Sequence, residues 1–161
     1  MDHRAWPTLV TSEKEADMTS DTRDCAICKM AITIPERRVI ERGEHWVAHA
    51  TAIPGWIMVA TTRHGEWSWG MTPEEANSMG SMVAKASQAI REVCDAERVY
   101  MIGLGENSVH FHFLLIPRSM SDTERLLDQS VHETLRTLNE KMADSGEADA
   151  TAAKLRSFVT A

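Results

Sequence analysis

Ser108-Val109-His110-Phe111-His112-Phe113-Leu114-Leu115-Ile116-Pro117-Arg118 is the stretch that decides the fold. Bulky apolar residues run through it and Pro-Arg ends it, so it reads as a strand. Side chains alternate faces along a strand. Val109, Phe111, Phe113 and Leu115 are therefore expected to enter a core, while His110, His112 and Leu114 share the opposite face. Two histidines on an otherwise hydrophobic strand mark a candidate site, for metal, for attack on a substrate, or for one task each. They stand roughly 7 Å apart, near enough to share a pocket and too far to complete one tight metal site together.

Working outward, Arg38 to Glu41 and His45 to Ala50 read as two short strands joined by Arg42-Gly43-Glu44. Pro54-Gly55 marks a turn, Trp56 to Thr62 a third strand, and Val99 to Leu104 a fourth. Between the last two lies a predicted helix. Thr72-Pro73-Glu74-Glu75 supplies its N-cap, a proline at the first helical position and a capping-box glutamate. Ala76, Met79, Gly80, Val83, Ala86, Ser87, Ile90 and Val93 repeat at helical spacing and form its packing face. Asp95-Ala96-Glu97 ends it. Ser121-Asp122-Thr123-Glu124 is a second capping box, followed by a stripe from Leu127 to Met142, and Ala150 to Val159 reads as a short terminal helix. This order gives an α+β class: an antiparallel sheet, helices on one face, one long central helix and additional C-terminal helices.

At 161 residues the chain is long enough for one domain with a real core. Residues 1–24 mix acids and polar groups without an apolar signal core and read as a flexible N-terminal extension to a single domain over residues 25–161. The net charge of -7 argues against a general nucleic-acid groove and leaves room for a small nucleotide site. No apolar run is long enough to cross a bilayer. A cytoplasmic location and no membrane partner are expected. Cys25-Ala26-Ile27-Cys28 has metal-knuckle spacing, open to zinc or to a redox pair. Cys94, near the end of the central helix, reads as a small buried apolar residue.

Five segments, in order, resemble the histidine-triad superfamily of nucleotide hydrolases and transferases. Cys25-Ala26-Ile27-Cys28-Lys29-Met30 looks like the family's N-terminal knuckle. Pro54-Gly55-Trp56-Ile57-Met58-Val59 with Thr62-Arg63-His64 is similar to its strand ending in a basic-histidine pair. Thr72-Pro73-Glu74-Glu75-Ala76 looks like the start of its long helix. Gly105-Glu106 leads into His110-Phe111-His112-Phe113, which resembles the catalytic strand, and Ile116-Pro117-Arg118 its ending. The resemblance covers roughly Cys25 to Arg118.

The resemblance implies a histidine-triad-like α+β fold, commonly a homodimer, and attack on phosphorus by the middle histidine, His112. It implies structural zinc on Cys25, Cys28, His64 and His110, a closed tetrahedral set that fixes the strand without activating water. Asn107 and Ser108 are expected to bind phosphate through backbone N–H groups. The third triad histidine is Leu114 here, which can neither donate nor accept a hydrogen bond. Three consequences are open: a leaving group that needs little protonation, a replacement contact from His49, Glu106 or Ser108, or a fold reused for binding. Trp46, Trp56, Trp67 and Trp69 are expected near the second and third strands, where such rings stack on a base or pack a dimer seam. Trp56 stands where many family members have histidine or another polar-capable aromatic. Arg63 and Arg118 are phosphate attractors or solvated strand-end charges.

The expected function is that of a nucleotide hydrolase or nucleotidyltransferase acting at a phosphoramidate, phosphoanhydride or mixed-anhydride bond through a covalent histidine intermediate. Its partner is a nucleotide or phosphorylated metabolite. The alternatives are a specialised relative acting on a non-nucleotide metabolite and a zinc-stabilised ligand-binding module.

Overall fold

The computed structural model describes residues 25–65, 67–103, 105, 108–118 and 146–160. The expected N-terminal extension, the capping box at Ser121 and the helix expected after it lie outside these residues. Five strands form one antiparallel sheet: β1 (Val39–Arg42), β2 (Trp46–Ala50), β3 (Ile57–Thr61), β4 (Arg98–Ile102) and β5 (His112–Arg118), in the order β1-β2-β3-β5-β4. Among the described residues three α-helices accompany it: α1 (Ala26–Thr33), α2 (Pro73–Cys94) and α3 (Gly146–Thr160). The α+β class matches the expectation from sequence.

Register assigns every side chain to a face. Ala48, Val59 and Phe113 lie side by side across three strands, as do Ala50, Ile57 and Leu115. These residues meet Met82, Ala86, Ala89 and Ile90 of α2 and Ala152, Leu155 and Val159 of α3 in the main core. Each fully buried aliphatic side chain there contributes about 1.5–3 kcal/mol. The opposite face carries the row His49, Met58, Leu114 and Ile102, and the row Val47, Ala60 and His112.

α2 starts as expected: Thr72 caps it, Pro73 occupies the first turn and Glu75 closes the capping box. Its buried stripe differs from the expected one. Ala76 and Gly80 are exposed, whereas Met82 and Ala89 are buried. Small residues at several phases left the rotation of the helix undecided until it met the sheet. The Pro54-Gly55 turn has Gly55 at φ +81, where a Cβ would lie 2.7 Å from Cys94 Sγ. Glycine is therefore required twice over, for backbone and for space. Cys94, expected to be buried, is half-buried and packs against the edge of the core.

Two further differences bear on the site. β5 begins at His112 rather than Ser108, and Val109 is 49% exposed instead of entering the core. The lead-in is held by other means, because the Phe111 N–H donates to the Gly65 carbonyl at 2.7 Å. In addition, α1 packs on the face opposite α2 and α3, with Ile27 against Val47 and Ala60. Helices therefore occupy both faces, not one.

Candidate metal centre and active site

Cys25, Cys28, His64 and His110 converge from three places. Cys25 is the N-cap of α1 and its Sγ accepts a hydrogen bond from the Cys28 N–H at 3.5 Å. His64 follows β3, and His110 precedes β5. One ligand atom from each residue lies within 4.8 Å of the others. Both histidines present Nδ1 to Cys28 Sγ, each at 3.3 Å. A tetrahedral zinc ion holds its ligands roughly 3–4 Å apart, so the set needs little contraction to close on one. The four positions expected for metal thus come together.

The surroundings suit ligation. The His110 Nε2–H donates to the Thr61 carbonyl at 2.8 Å, which fixes the tautomer and leaves Nδ1 facing the sulfurs. A metal-binding histidine characteristically carries such an outer contact. Burial, with a further contribution from nearby Arg63, holds the His110 pKa below its ordinary 6.5; the Thr61 carbonyl opposes this. Burial pushes the Cys28 thiol up to about 11, and the adjoining Cys25 sulfur adds to the rise. Burial also acts to raise Cys25, but hydrogen bonds from the Cys28 amide and the Ser108 hydroxyl bring it below its ordinary 9.0. The two sulfurs are thus pushed in opposite directions, and a bound dication would favour the thiolate form of both.

His112 stands outside this set. Its Nδ1–H donates to the His110 carbonyl at 2.7 Å, so the lone pair resides on Nε2. Across the sheet it faces Ala60. The arrangement separates the two: His110 turns to the cysteines, and His112 is a half-buried imidazole oriented by the His110 carbonyl.

The expected substrate contacts fare unequally. Leu114 and Trp56 are brought together in an apolar cluster with Ile53 and Ile116, against which Met58 and Ile102 pack. His49 shares their face, but Met58 lies between it and Leu114, so it does not replace a contact there. The Ser108 hydroxyl is 3.8 Å from Cys25 Sγ, and its N–H donates to the Gly105 carbonyl at 3.3 Å. It is thus committed to the metal set and its own turn. Asn107 and Glu106 lie outside the described residues.

The tryptophans do not form one group. Trp46 lies in the main core and donates its indole N–H to the Glu75 carbonyl and Ser78 hydroxyl. Trp67, at φ 55, stacks on the exposed Trp69 at 5.5 Å and sits where a Gly105 Cβ would be. Arg63 is bound by both carboxylate oxygens of Glu75, at 3.0 and 2.8 Å. Arg118 is buried with its guanidinium over the Tyr100 ring. Neither is a free phosphate-seeking charge. Sequence reasoning missed Thr61, which orients His110. A β-branched polar residue ending a strand before a histidine was the available signal.

No family model and no curated protein matches the chain. Solved structures do. The chain is similar to a Zn-bound histidine triad family protein from Mycobacterium smegmatis, with TM-score 0.63 and 17% identity over 85% of this chain and 94% of that one. It is similar to a hypothetical histidine triad nucleotide-binding protein from Sulfolobus tokodaii, with TM-score 0.64 and 15% identity over 84% and 92%. A third is Plasmodium falciparum diadenosine triphosphate hydrolase in complex with cyclomarin A, with TM-score 0.54 and 14% identity over 79% of both chains. The chain has the histidine-triad fold.

Proposed function

We propose that this chain, built on the histidine-triad fold, is a nucleotide hydrolase or nucleotidyltransferase that works through a covalent intermediate on His112. The observation that carries this reading is the 2.7 Å bond from His112 Nδ1 to the His110 carbonyl, which leaves the Nε2 lone pair for attack. In the first step that pair forms an N–P bond. The bond from phosphorus to the leaving group breaks, and its electrons go with the leaving group. Water or another acceptor then forms a new bond to phosphorus, the N–P pair returns to Nε2, and the surplus proton passes to solvent.

Cys25, Cys28, His64 and His110 would hold zinc, whose chemistry in such a closed set is structural. The chain's own part is to keep His110 rigid through Thr61, so that the carbonyl steering His112 is fixed. The β4 edge, with Tyr100 40% and Met101 54% exposed, supports pairing with a second copy of the chain.

The test is His112→Ala assayed on nucleoside phosphoramidates, dinucleoside polyphosphates and acyl nucleotides, with metal content measured in parallel. The expected result is loss of turnover by about 10³-fold or more with metal retained. Equal turnover in both proteins overturns the assignment. Ligand binding without turnover in either protein favours a binding module instead.

A further inference from the structure

The loop between β3 and α2 is wound around one guanidinium. Arg63 donates to both carboxylate oxygens of Glu75 and, through Nη2, to the Gly70 carbonyl at 2.8 Å. Gly65 lies against the same group, since a Cβ there would be 3.0 Å from Nη2 and 3.1 Å from Nη1. Two contacts carry this order to the histidine strand. The Gly65 carbonyl accepts the Phe111 N–H at 2.7 Å. The six-membered ring of the Trp67 indole covers Gly105, where a Cβ would run into Cζ3 and Cη2. Trp67 itself takes φ 55 and ψ 169, a positive-φ conformation that residues with a side chain rarely adopt and that persists only where the surroundings hold it. The two contacts bracket residues 105–111. The Phe111 N–H and the His110 carbonyl belong to one peptide plane and point in opposite directions from it. Gly65 holds the N–H end, and the carbonyl end receives the His112 Nδ1–H at 2.7 Å. Any rotation of that plane disturbs both bonds together, so the direction of the His112 imidazole is set from the β3–α2 loop.

We propose that Trp67 is a positioning residue for His112. Seated on Gly105, its indole keeps the β3–α2 loop against the lead-in to β5, and so keeps the 110–111 peptide turned toward the His112 ring. The consequence for turnover rests on the nucleotidyl-His112 reading, whereas the consequence for the ring's orientation does not. A side chain at position 105 and the Trp67 ring compete for one space, so glycine and tryptophan are required as a pair. Trp69, 79% exposed, stacks on Trp67 at 5.5 Å and forms the outer layer of the same clamp. Misplacing a reacting group by about 1 Å can cost about 10²-fold in rate, which is the scale on which such a clamp acts.

The test compares the full metal-loaded chain with Trp67→Ala, Trp67→Phe, Gly105→Ala and the Trp67→Ala/Gly105→Ala double variant, metal content and melting temperature being measured on each. Nucleoside phosphoramidates, dinucleoside polyphosphates and acyl nucleotides supply kcat and KM. Amide exchange at Phe111 reads the bond to Gly65, and ring nitrogen NMR reads which nitrogen of His112 carries the proton. In Trp67→Ala, kcat should fall about 10- to 10²-fold with KM and metal content little changed. Phe111 exchange should quicken about 10-fold, and the Nε2–H form of His112 should appear. Trp67→Phe should recover most of the lost kcat. Gly105→Ala should be harmful alone and less so beside Trp67→Ala, because the two positions share one contact. Additive effects in that cycle, unchanged Phe111 exchange in Trp67→Ala, or a kcat loss that only tracks lost metal or lost folding overturns the proposal. A wild-type protein that turns over no member of the panel overturns the nucleotidyl reading instead, and Phe111 exchange and the His112 proton then decide the positioning by themselves.

Discussion

His49 shows how a single side chain is redefined by its surroundings. From sequence it is one polar group beside a candidate site. In the fold it is 3% exposed, its Nδ1–H donates to the Ala50 carbonyl at 3.3 Å, and Nε2 is buried without a partner. A buried acceptor left unpaired costs about 1–3 kcal/mol. Burial holds its pKa below the ordinary 6.5, and Arg38 and Arg42 add to this, against the pull of the Ala50 carbonyl. The unfolded chain therefore takes up a proton near the ordinary value while the folded chain resists. Stability due to this residue falls as pH drops below 6.5. His49→Phe removes both the orphan and the titration. Its melting temperature should equal or exceed the wild-type value at about pH 7.5, and its loss on going to about pH 5.5 should be smaller. Parallel pH dependences in the two proteins would rule out this account. The set Cys25, Cys28, His64 and His110, by contrast, was legible only through the family resemblance, and the fold brings the four residues together.

At the scale of elements, α2 was legible at its start and illegible in its partners. Thr72-Pro73-Glu74-Glu75 announces a capped helix, and the cap is there. Nothing local reveals that Glu75 also takes Arg63 in a two-point ion pair while 3% exposed. Burial works to raise the Glu75 pKa, but Arg63 and the Thr72 amide outweigh it and bring it below the ordinary 4.5. The stabilisation is thus full above about pH 4.5 and is lost as pH falls through the lower folded-state value. Glu75→Gln keeps the shape and the cap acceptor but not the charge. Urea titration near neutral pH should show a loss of about 1–3 kcal/mol, converging with wild type in acid. A constant difference at every pH would count against the ion pair. α1 was not legible as a helix. It has eight residues, too few to be stable alone, and owes its place to the Cys25 cap and to Ile27 on the sheet.

At the scale of the whole molecule, the Cys/His set fastens α1 across a face that α2 and α3 do not touch. Removing metal with a chelator should therefore release α1 and leave the main core folded. Amide exchange over residues 26–33 should accelerate about 10-fold or more, with little change in β2 and β3. Light scattering of the metal-loaded sample should give twice the chain mass, as the exposed β4 edge leads us to expect. Unchanged exchange in α1 would show that the metal set does not hold it, and a single-chain mass would remove the dimer.

The sequence alone determined the α+β class, the strand that His112 opens and the start of α2, while the set Cys25, Cys28, His64 and His110 came from its family resemblance. Those features depend on alternation, capping and residue chemistry, all of which act over a few neighbours. Tertiary structure alone decided that α1 lies across the sheet from α2, that the tryptophans separate, that Arg63 and Ser108 are already engaged, and that Leu114 and Trp56 meet in one apolar wall. Each of these depends on register between distant strands, and register is fixed by packing the whole sheet, not by any one segment of it.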